Sequence, residues 1–325
     1  MNRPRIALLS NPKSTGNIAQ LSRMRSFCAE HPDLFHYEVE RADQIGEALR
    51  TIARIHPRIL IINGGDGTVQ TALTEIYNGG HFGDDRPPVA VLPSGKTNLI
   101  ALDLGVQGDP IVALERLLEL AKSDLSPHLV ERELIALRCG IGGIPQIGMF
   151  LGGAGLADTM LYCRNKIYPL GLPNGISHVL TAIAMLLQLL LRLKASFLPP
   201  RPRPLEVTVR LGSMLSGRFT LLVVTTLEKM LLATDLHTDG RGRGRLKLLA
   251  VEERPVSLLR AFIASLRGKL AGTTLQGVHF QEADEISIEG DDSSVILDGE
   301  TFTAELGRPI FLQTAQPLSF IRLAA

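Results

Sequence analysis

Cysteine is scarce in this chain. Its three cysteines, Cys28, Cys139 and Cys163, are odd in number and widely spaced, which excludes a disulfide scaffold and a paired-cysteine zinc site. Such sparse usage fits a reducing compartment, so the expected location is cytoplasmic. Charge of one sign is equally lacking: 34 Lys and Arg stand against 33 Asp and Glu, for a net charge of +1. That balance leaves no basic footprint, and nucleic acid is not an expected partner. The opening stretch MNRPRIALLSNPK holds only a four-residue apolar run, too short for the core of a signal peptide. The nearest approach to a spanning segment is Ile176–Leu193, ISHVLTAIAMLLQLLLRL, whose apolar runs are broken by His178 and Gln188. A spanning helix needs about 20 predominantly apolar residues. The expected place of this segment is a helix buried in the core, with contact at a membrane surface as the alternative.

The chain does have the composition of a globular protein, 45% hydrophobic and 21% charged, and its 325 residues suggest two domains. In the first third, apolar strand-like runs (Arg5–Leu9, His36–Glu40, Arg58–Asn63, Pro88–Leu92) alternate with helix-compatible stretches at Ile18–Glu30, Ile45–Ala53, Val69–Tyr77 and Asn98–Gly105. Such alternation predicts a parallel, Rossmann-like α/β domain covered on both faces. Beyond Asp124–Leu129 the pattern changes to many short alternating runs, among them LVERELIALR, GIPQIGMFLGG, LEVTVRL, GRFTLLVVTT, SSVILDGE and TFTAEL. These predict a mostly antiparallel β domain, with helical patches at Ala154–Asn165, Ile176–Leu193 and Val256–Leu270. PPRPRP (Pro199–Pro204) reads as an extended connector.

Ligands of parallel sheets bind at the carboxyl ends of the strands, so the loops there carry the information. Gly64-Gly65-Asp66-Gly67-Thr68 lies between a buried strand and a helix. Its three glycines permit positive φ and close backbone approach, and the helix N-terminus supplies donors and a positive dipole end, which together make a phosphate cradle. A bare Asp66 in such a cradle calls for a divalent metal or a sugar hydroxyl; alone it would be an N-cap. SNPKSTGN (Ser10–Asn17) follows the first strand, and Asn11 and Pro12 with Ser14, Thr15 and Gly16 form a second candidate phosphate loop. Ser10 and Lys13 also match an SxxK nucleophile pattern, but neither SDN nor KTG accompanies them. PSGKTN (Pro93–Asn98) formally fits a Walker A motif, yet Ala90 replaces the first glycine and Pro93 has no N–H to donate. Asp298-Gly299-Glu300 is either a two-residue hairpin turn or a carboxylate pair for metal or base chemistry.

Together NGGDGT, PSGKTNLIALDLG and the late ILDGE resemble the diacylglycerol kinase catalytic-domain family of lipid kinases, related to sphingosine kinases and more distantly to NAD kinases. GMFLGGAGLAD and TDGRGRGRLKLLAV agree as well. The GGDGT loop is common to the superfamily, whereas the late DGE points to the lipid-kinase branch. The resemblance implies a nucleotide domain of residues 1–126 and 306–325 and an acceptor domain of residues 127–305. It implies ATP and Mg²⁺ as cofactors, with the γ-phosphoryl group passing to a lipid alcohol at a membrane surface; a homodimer is compatible with it. Asn11, Pro12, Gly64, Gly65, Asp66, Gly67, Thr68, Gly95, Lys96, Thr97 and Asn98 would hold the nucleotide. Glu300 would be the base, helped by Asp298; Asp66, Asp298 and Asp239 would be the metal residues. The family usually shows Thr where Lys96 stands and an acidic residue where Leu99 stands, both facing the nucleotide. The alternatives are a soluble-substrate kinase of the NAD-kinase type and a non-catalytic nucleotide- or lipid-binding homologue.

Overall fold

A computed structural model describes residues 6–140, 142–170, 177, 180–181, 183–185, 187–188, 198–210, 213–228, 246–267, 270 and 275–323. Its first part is the expected parallel sheet. The apolar runs form β1 (Ile6–Ser10), β2 (Leu34–Glu38), β3 (Ile59–Gly64) and β4 (Val89–Pro93), and every residue of β1 and β3 is buried, as strands covered on both faces require. Helices α1 (Thr15–Glu30), α2 (Ile45–Ala53), α3 (Asp66–Asn78), α4 (Leu99–Asp103) and α5 (Pro110–Leu120) follow or connect them. The sequence reading passed over α5, although its signal is present: Asp109 accepts the Ile111 N–H at 2.8 Å, with Pro110 at the first helical position. The strands lie in the order β2-β1-β3-β4, all parallel. The order reverses between β1 and β3, which opens a crevice at their carboxyl ends.

The second part is antiparallel. Its strands are β5 (Leu129–Cys139), β6 (Gln146–Gly148), β7 (Phe150–Gly153), β8 (Pro204–Val209), β9 (Met214–Thr225), β10 (Leu246–Glu252), β11 (Val278–Ala283), β12 (Glu285–Gly290), β13 (Ser293–Leu297), β14 (Glu300–Ala304) and β15 (Ile310–Ile321), with helices α6 (Gly155–Tyr162) and α7 (Pro255–Leu266). GIPQIGMFLGG is two strands and not one, because the chain changes partners at Met149: β6 pairs with β5, and β7 with β9 and β13. The connector expected over Pro199–Pro204 is shorter, since Pro204 opens β8. The long strand β15 ties the two parts together. It runs antiparallel to β5 and β12, and near its end Phe320 pairs in parallel with Val89 of β4. Its one irregularity falls between Ala315 and Leu318, where Pro317 has no N–H for the ladder.

The segment expected as a core helix shows the reverse arrangement over its described residues. Ser177, Thr181 and Gln188 are buried, whereas Leu180, Ile183 and Leu187 are exposed. No helix among the described residues is long and apolar enough to cross a membrane.

An ionic network, buried at Arg132 and Asp103 and half-buried at Glu228 and Arg322, closes the seam between the parts. Arg132 of β5 donates to Asp103 at the end of α4 (3.1 Å) and to Glu228 after β9 (2.8 Å), while Arg322 after β15 donates to Glu228 at 2.9 Å. The Glu228 backbone N–H completes the ring on Asp103 at 2.8 Å. Burial alone would raise Glu228, but Arg132 and Arg322 outweigh it and hold the carboxyl below its ordinary value. Arg132→Met takes the guanidinium away from the fully buried Asp103 carboxylate, so it should cost about 3–5 kcal/mol in denaturant unfolding. A loss below about 1 kcal/mol would mean that the network is not needed at this seam.

Candidate active site

A polar residue stands at or beside the carboxyl end of β1, β3 and β4, and these residues bond to one another. Ser94, just after β4, donates its hydroxyl to Asn63 Oδ1 at 2.5 Å, and Asn63 Nδ2 donates to Ser10 Oγ at 3.2 Å. Asn17 Nδ2 donates to the carbonyls of Asn11 (2.7 Å) and Asn63 (3.1 Å). The side chains of Ser10, Asn17, Asn63 and Ser94 are all buried. Sequence reasoning missed this platform, though its signal was legible: apolar runs closing on one polar residue, as in IALLS and ILIIN.

On the platform stand the predicted loops. Asn11 Nδ2 donates to Thr68 Oγ1 at 2.9 Å, joining the first loop to α3, and Gly65 N–H donates to Ser14 Oγ at 3.0 Å. Asn98, in left-handed backbone at φ 56°, clamps Gly95 from both sides: its Oδ1 accepts the Gly95 N–H at 2.6 Å and its Nδ2 donates to the Gly95 carbonyl at 3.1 Å. Asp66 opens α3, and its carboxylate accepts the N–H groups of Asn98 and Leu99, joining the GGDGT loop to PSGKTN. Pro12 is half-buried in the first loop, and Thr97 is exposed on the third.

The glycines of the cradle are needed for a reason other than positive φ. Gly64, Gly65 and Gly67 are absent from the left-handed region. What they provide is proximity. A Cβ on Gly64 would lie 2.6 Å from the Thr68 side chain, and one on Gly95 would lie 2.7 Å from the Gly65 Cα. The first turn of α3 keeps the amides that have no partner inside a helix.

The fold also brings the late DGE to this point. Asp298 and Gly299 are a two-residue hairpin turn with φ of 43° and 98°, and Leu297 pairs with Glu300 across it. The hairpin reading is therefore correct, and the turn lies against α3 as well. A Cβ on Gly67 would be 3.0 Å from Glu300 Oε1, and one on Gly299 would be 3.5 Å from the Gly67 amide nitrogen. A side chain at position 299 would thus cover that amide. Glu300 itself is exposed, whereas Asp298 is buried, with its Oδ2 accepting the Met149 N–H at 2.7 Å and its Oδ1 the Phe150 N–H at 3.0 Å.

Lys96 and Leu99, where the chain leaves the usual motif, make contacts of their own. The Lys96 ammonium lies 3.5 Å from the centroid of the Tyr168 ring, which belongs to the turn after α6. Leu99 packs against the α/β core. Asp239 lies outside the described residues. Among the described residues, no three His, Cys, Asp or Glu side chains gather as a metal cage. All three cysteines are free.

This geometry can be set beside known proteins. Residues 5–126 match the diacylglycerol kinase catalytic domain. The matched stretch holds the first three loops, and the DGE turn lies beyond it. No protein of curated function matches the chain. Over its whole length the fold resembles the crystal structure of a Bacillus anthracis (strain Sterne) chain assigned as a diacylglycerol kinase, with TM-score 0.67 and 17% identity over 99% of this chain and 98% of that one. The crystal structure of a diacylglycerol kinase from the same strain gives 0.60 and 16%, with the same coverage. The first third of the chain is thus similar to a diacylglycerol kinase catalytic domain, and the two-part fold is that of these structures.

The electrostatics of the site yield a test. Asp298 is pushed up to about 8, by burial and by the Asp66 charge, against the pull of its two amides. Burial pushes Asp66 up to about 6 against the Asn98 and Leu99 amides. In the unfolded chain both titrate near 3.8. Between about pH 4 and 8 the folded protein therefore holds more protons than the unfolded chain, and stability falls as pH rises. The melting temperature of the metal-free protein should drop from pH 5 to pH 8. Asp66→Asn should flatten that drop, because it removes one group and the charge that lifts the other. Identical slopes in wild type and variant would exclude this coupling.

Proposed function

We propose that this protein is an ATP-dependent lipid kinase, which transfers the γ-phosphoryl group to the hydroxyl of a diacylglycerol-like or other lipid alcohol. The observation that carries this reading is the approach of Glu300, from the antiparallel part, to Gly67 at the N-terminus of α3. It sets a solvent-accessible carboxylate beside a ready anion site, the juxtaposition that transfer from phosphate to hydroxyl needs. The first-turn amides of α3, with Asn11, Thr68 and the Gly95–Asn98 loop, would hold the phosphates. Glu300 would accept the hydroxyl proton as the new P–O bond forms and the bond from the γ-phosphorus to the bridging oxygen breaks, with ADP as the leaving group. Gly299 would keep the Gly67 amide open to phosphate.

Mg²⁺ fits the remaining residues. Mg²⁺ in kinase sites is held by one or two carboxylates plus the substrate's phosphates. Asp66 and Asp298 are two carboxylates close enough for one charge to lift the other, and among the described residues no cation draws either of them down. When bound, the ion would neutralise phosphate charge. Asp66 would contribute an oxygen toward it, and Asp298, fixed by two amides, would chiefly hold the DGE turn in register.

The test is a labelled-ATP assay against lipid alcohols in mixed micelles, with NAD as a further acceptor. Label on a lipid supports the reading, while label on NAD, or nucleotide binding with no transfer, rejects it. Glu300→Gln should lower turnover by about 10²–10⁴-fold with ATP binding retained in calorimetry; near-normal turnover would reduce DGE to a hairpin turn. Lys96 supplies a separate prediction. A cation on an aromatic face is stabilised by about 0.5–2 kcal/mol, and the contact with Tyr168 would compete with any pull of the phosphates on the ammonium. Tyr168→Leu should therefore raise affinity for ATP more than for ADP, and Tyr168→Phe should raise neither. Equal changes for both nucleotides would remove Lys96 from the γ-phosphate.

A further inference from the structure

Helix α7 is built inside out. Its small residues face the protein: Ser257, Ala261 and Ala264 are 2%, 5% and 8% exposed, packed toward β10 and β11. Its large apolar residues face outward: Val256, Leu259, Phe262, Ile263 and Leu266 are 55%, 58%, 47%, 38% and 62% exposed. At 100° per residue these five cover one continuous outer face. Arg260 and Arg267, both exposed, flank that face on one side, and Arg254 precedes the helix. PVSLLRAFIASL contains no acidic residue.

We propose that the outer face of α7 docks on an anionic lipid surface, lying in the headgroup plane with its apolar side chains among the acyl chains. Three observations favour lipid over a second copy of the chain. A helix of 12 residues is about 18 Å long and presents a strip of about 200 Å², far below the roughly 800 Å² per partner of a stable protein interface. A row of large apolar side chains flanked by Arg260 and Arg267, on a helix without a carboxylate, is complementary to negative headgroups over an apolar layer; Arg254, paired with Glu252, is not counted in this charge. The same inversion recurs next door. Leu180, Ile183 and Leu187 are exposed on a segment whose Met185 and Gln188 line a small cleft with Glu253, two residues before α7 begins. The proposal extends the lipid-kinase reading by naming the surface that meets the bilayer.

The test is sedimentation with vesicles in the absence of nucleotide and of any acceptor alcohol. Wild type should pellet with phosphatidylglycerol-containing vesicles at low salt and much less with phosphatidylcholine alone. Leu259→Gln combined with Leu266→Gln should lower partitioning at least about tenfold, and Arg260→Gln combined with Arg267→Gln should abolish the preference for anionic vesicles. All these positions are exposed, so melting temperatures should match wild type; Phe262→Ser is an independent check on the same face. Two results would overturn the proposal: variants that bind as wild type does, or a wild-type dimer in ultracentrifugation that the leucine variants dissociate. The kinase reading is separated by assaying the same variants with a short-chain, water-soluble lipid alcohol. Normal transfer there with lost vesicle binding supports the docking face. Absence of transfer from wild type, with vesicle binding intact, rejects the kinase and leaves the docking face standing.

Discussion

Two hydrogen bonds hold the candidate site together. Both oxygens of Asp298 accept backbone amides, from Met149 and Phe150, in a place where the carboxyl group is cut off from water. Met149 is where the chain passes from β6 to β7, and Asp298 is the first residue of the β13–β14 turn. The carboxyl group thus locks the tip of a hairpin to the point where one strand pairing gives way to another. Gly148 is required beside it, because a Cβ there would collide with Asp298 Oδ2 and with the Leu297 side chain. With the tip held, Glu300 is carried to α3. An unpaired buried amide costs about 1–3 kcal/mol, so any slip of this hairpin would expose two such penalties at once.

On the other side of the crevice, rigidity comes from short polar bonds and missing side chains. Ser10, Asn63 and Ser94 link the ends of neighbouring parallel strands, and Asp66 takes two amides from the start of α4. The loops can then approach to within backbone contact, as Gly65 and Gly95 do. Walls held in this way would leave less ordering to be done on binding, if the proposed nucleotide enters between them. The surface of the antiparallel part follows the opposite logic. In α7 small residues fill the inside and large ones remain outside, an arrangement with no use in a core.

Much of this was legible in the residues. Alternating apolar runs predicted a parallel sheet, and NGGDGT after ILII announced a cradle because glycines running into a helix start leave backbone amides bare for an anion. NGGDGT and PSGKTNLIALDLG carried the part of the resemblance that the match over residues 5–126 bears out, and ILDGE lies beyond that stretch. The reason for the cradle glycines was not legible. Whether glycine serves positive φ or close approach depends on what lies opposite, and Thr68, Gly95 and Glu300 come from three different elements.

The sequence by itself determined the elements and the local chemistry of each loop, because hydrophobic period, turn residues and capping act over a few neighbours. Tertiary structure alone decided which loops meet. Residue 298 reaches residue 149 only through the pairing of β13 with β7, and Lys96 meets Tyr168 only because the seam between the two parts closes. It also decided which side of a helix is inside. PVSLLRAFIASL is apolar nearly all round, so its pattern could not say whether leucine or alanine faces the core. The packing against β10 and β11 settles it: Ser257, Ala261 and Ala264 are buried there, and Leu259 and Leu266 are left to the surface.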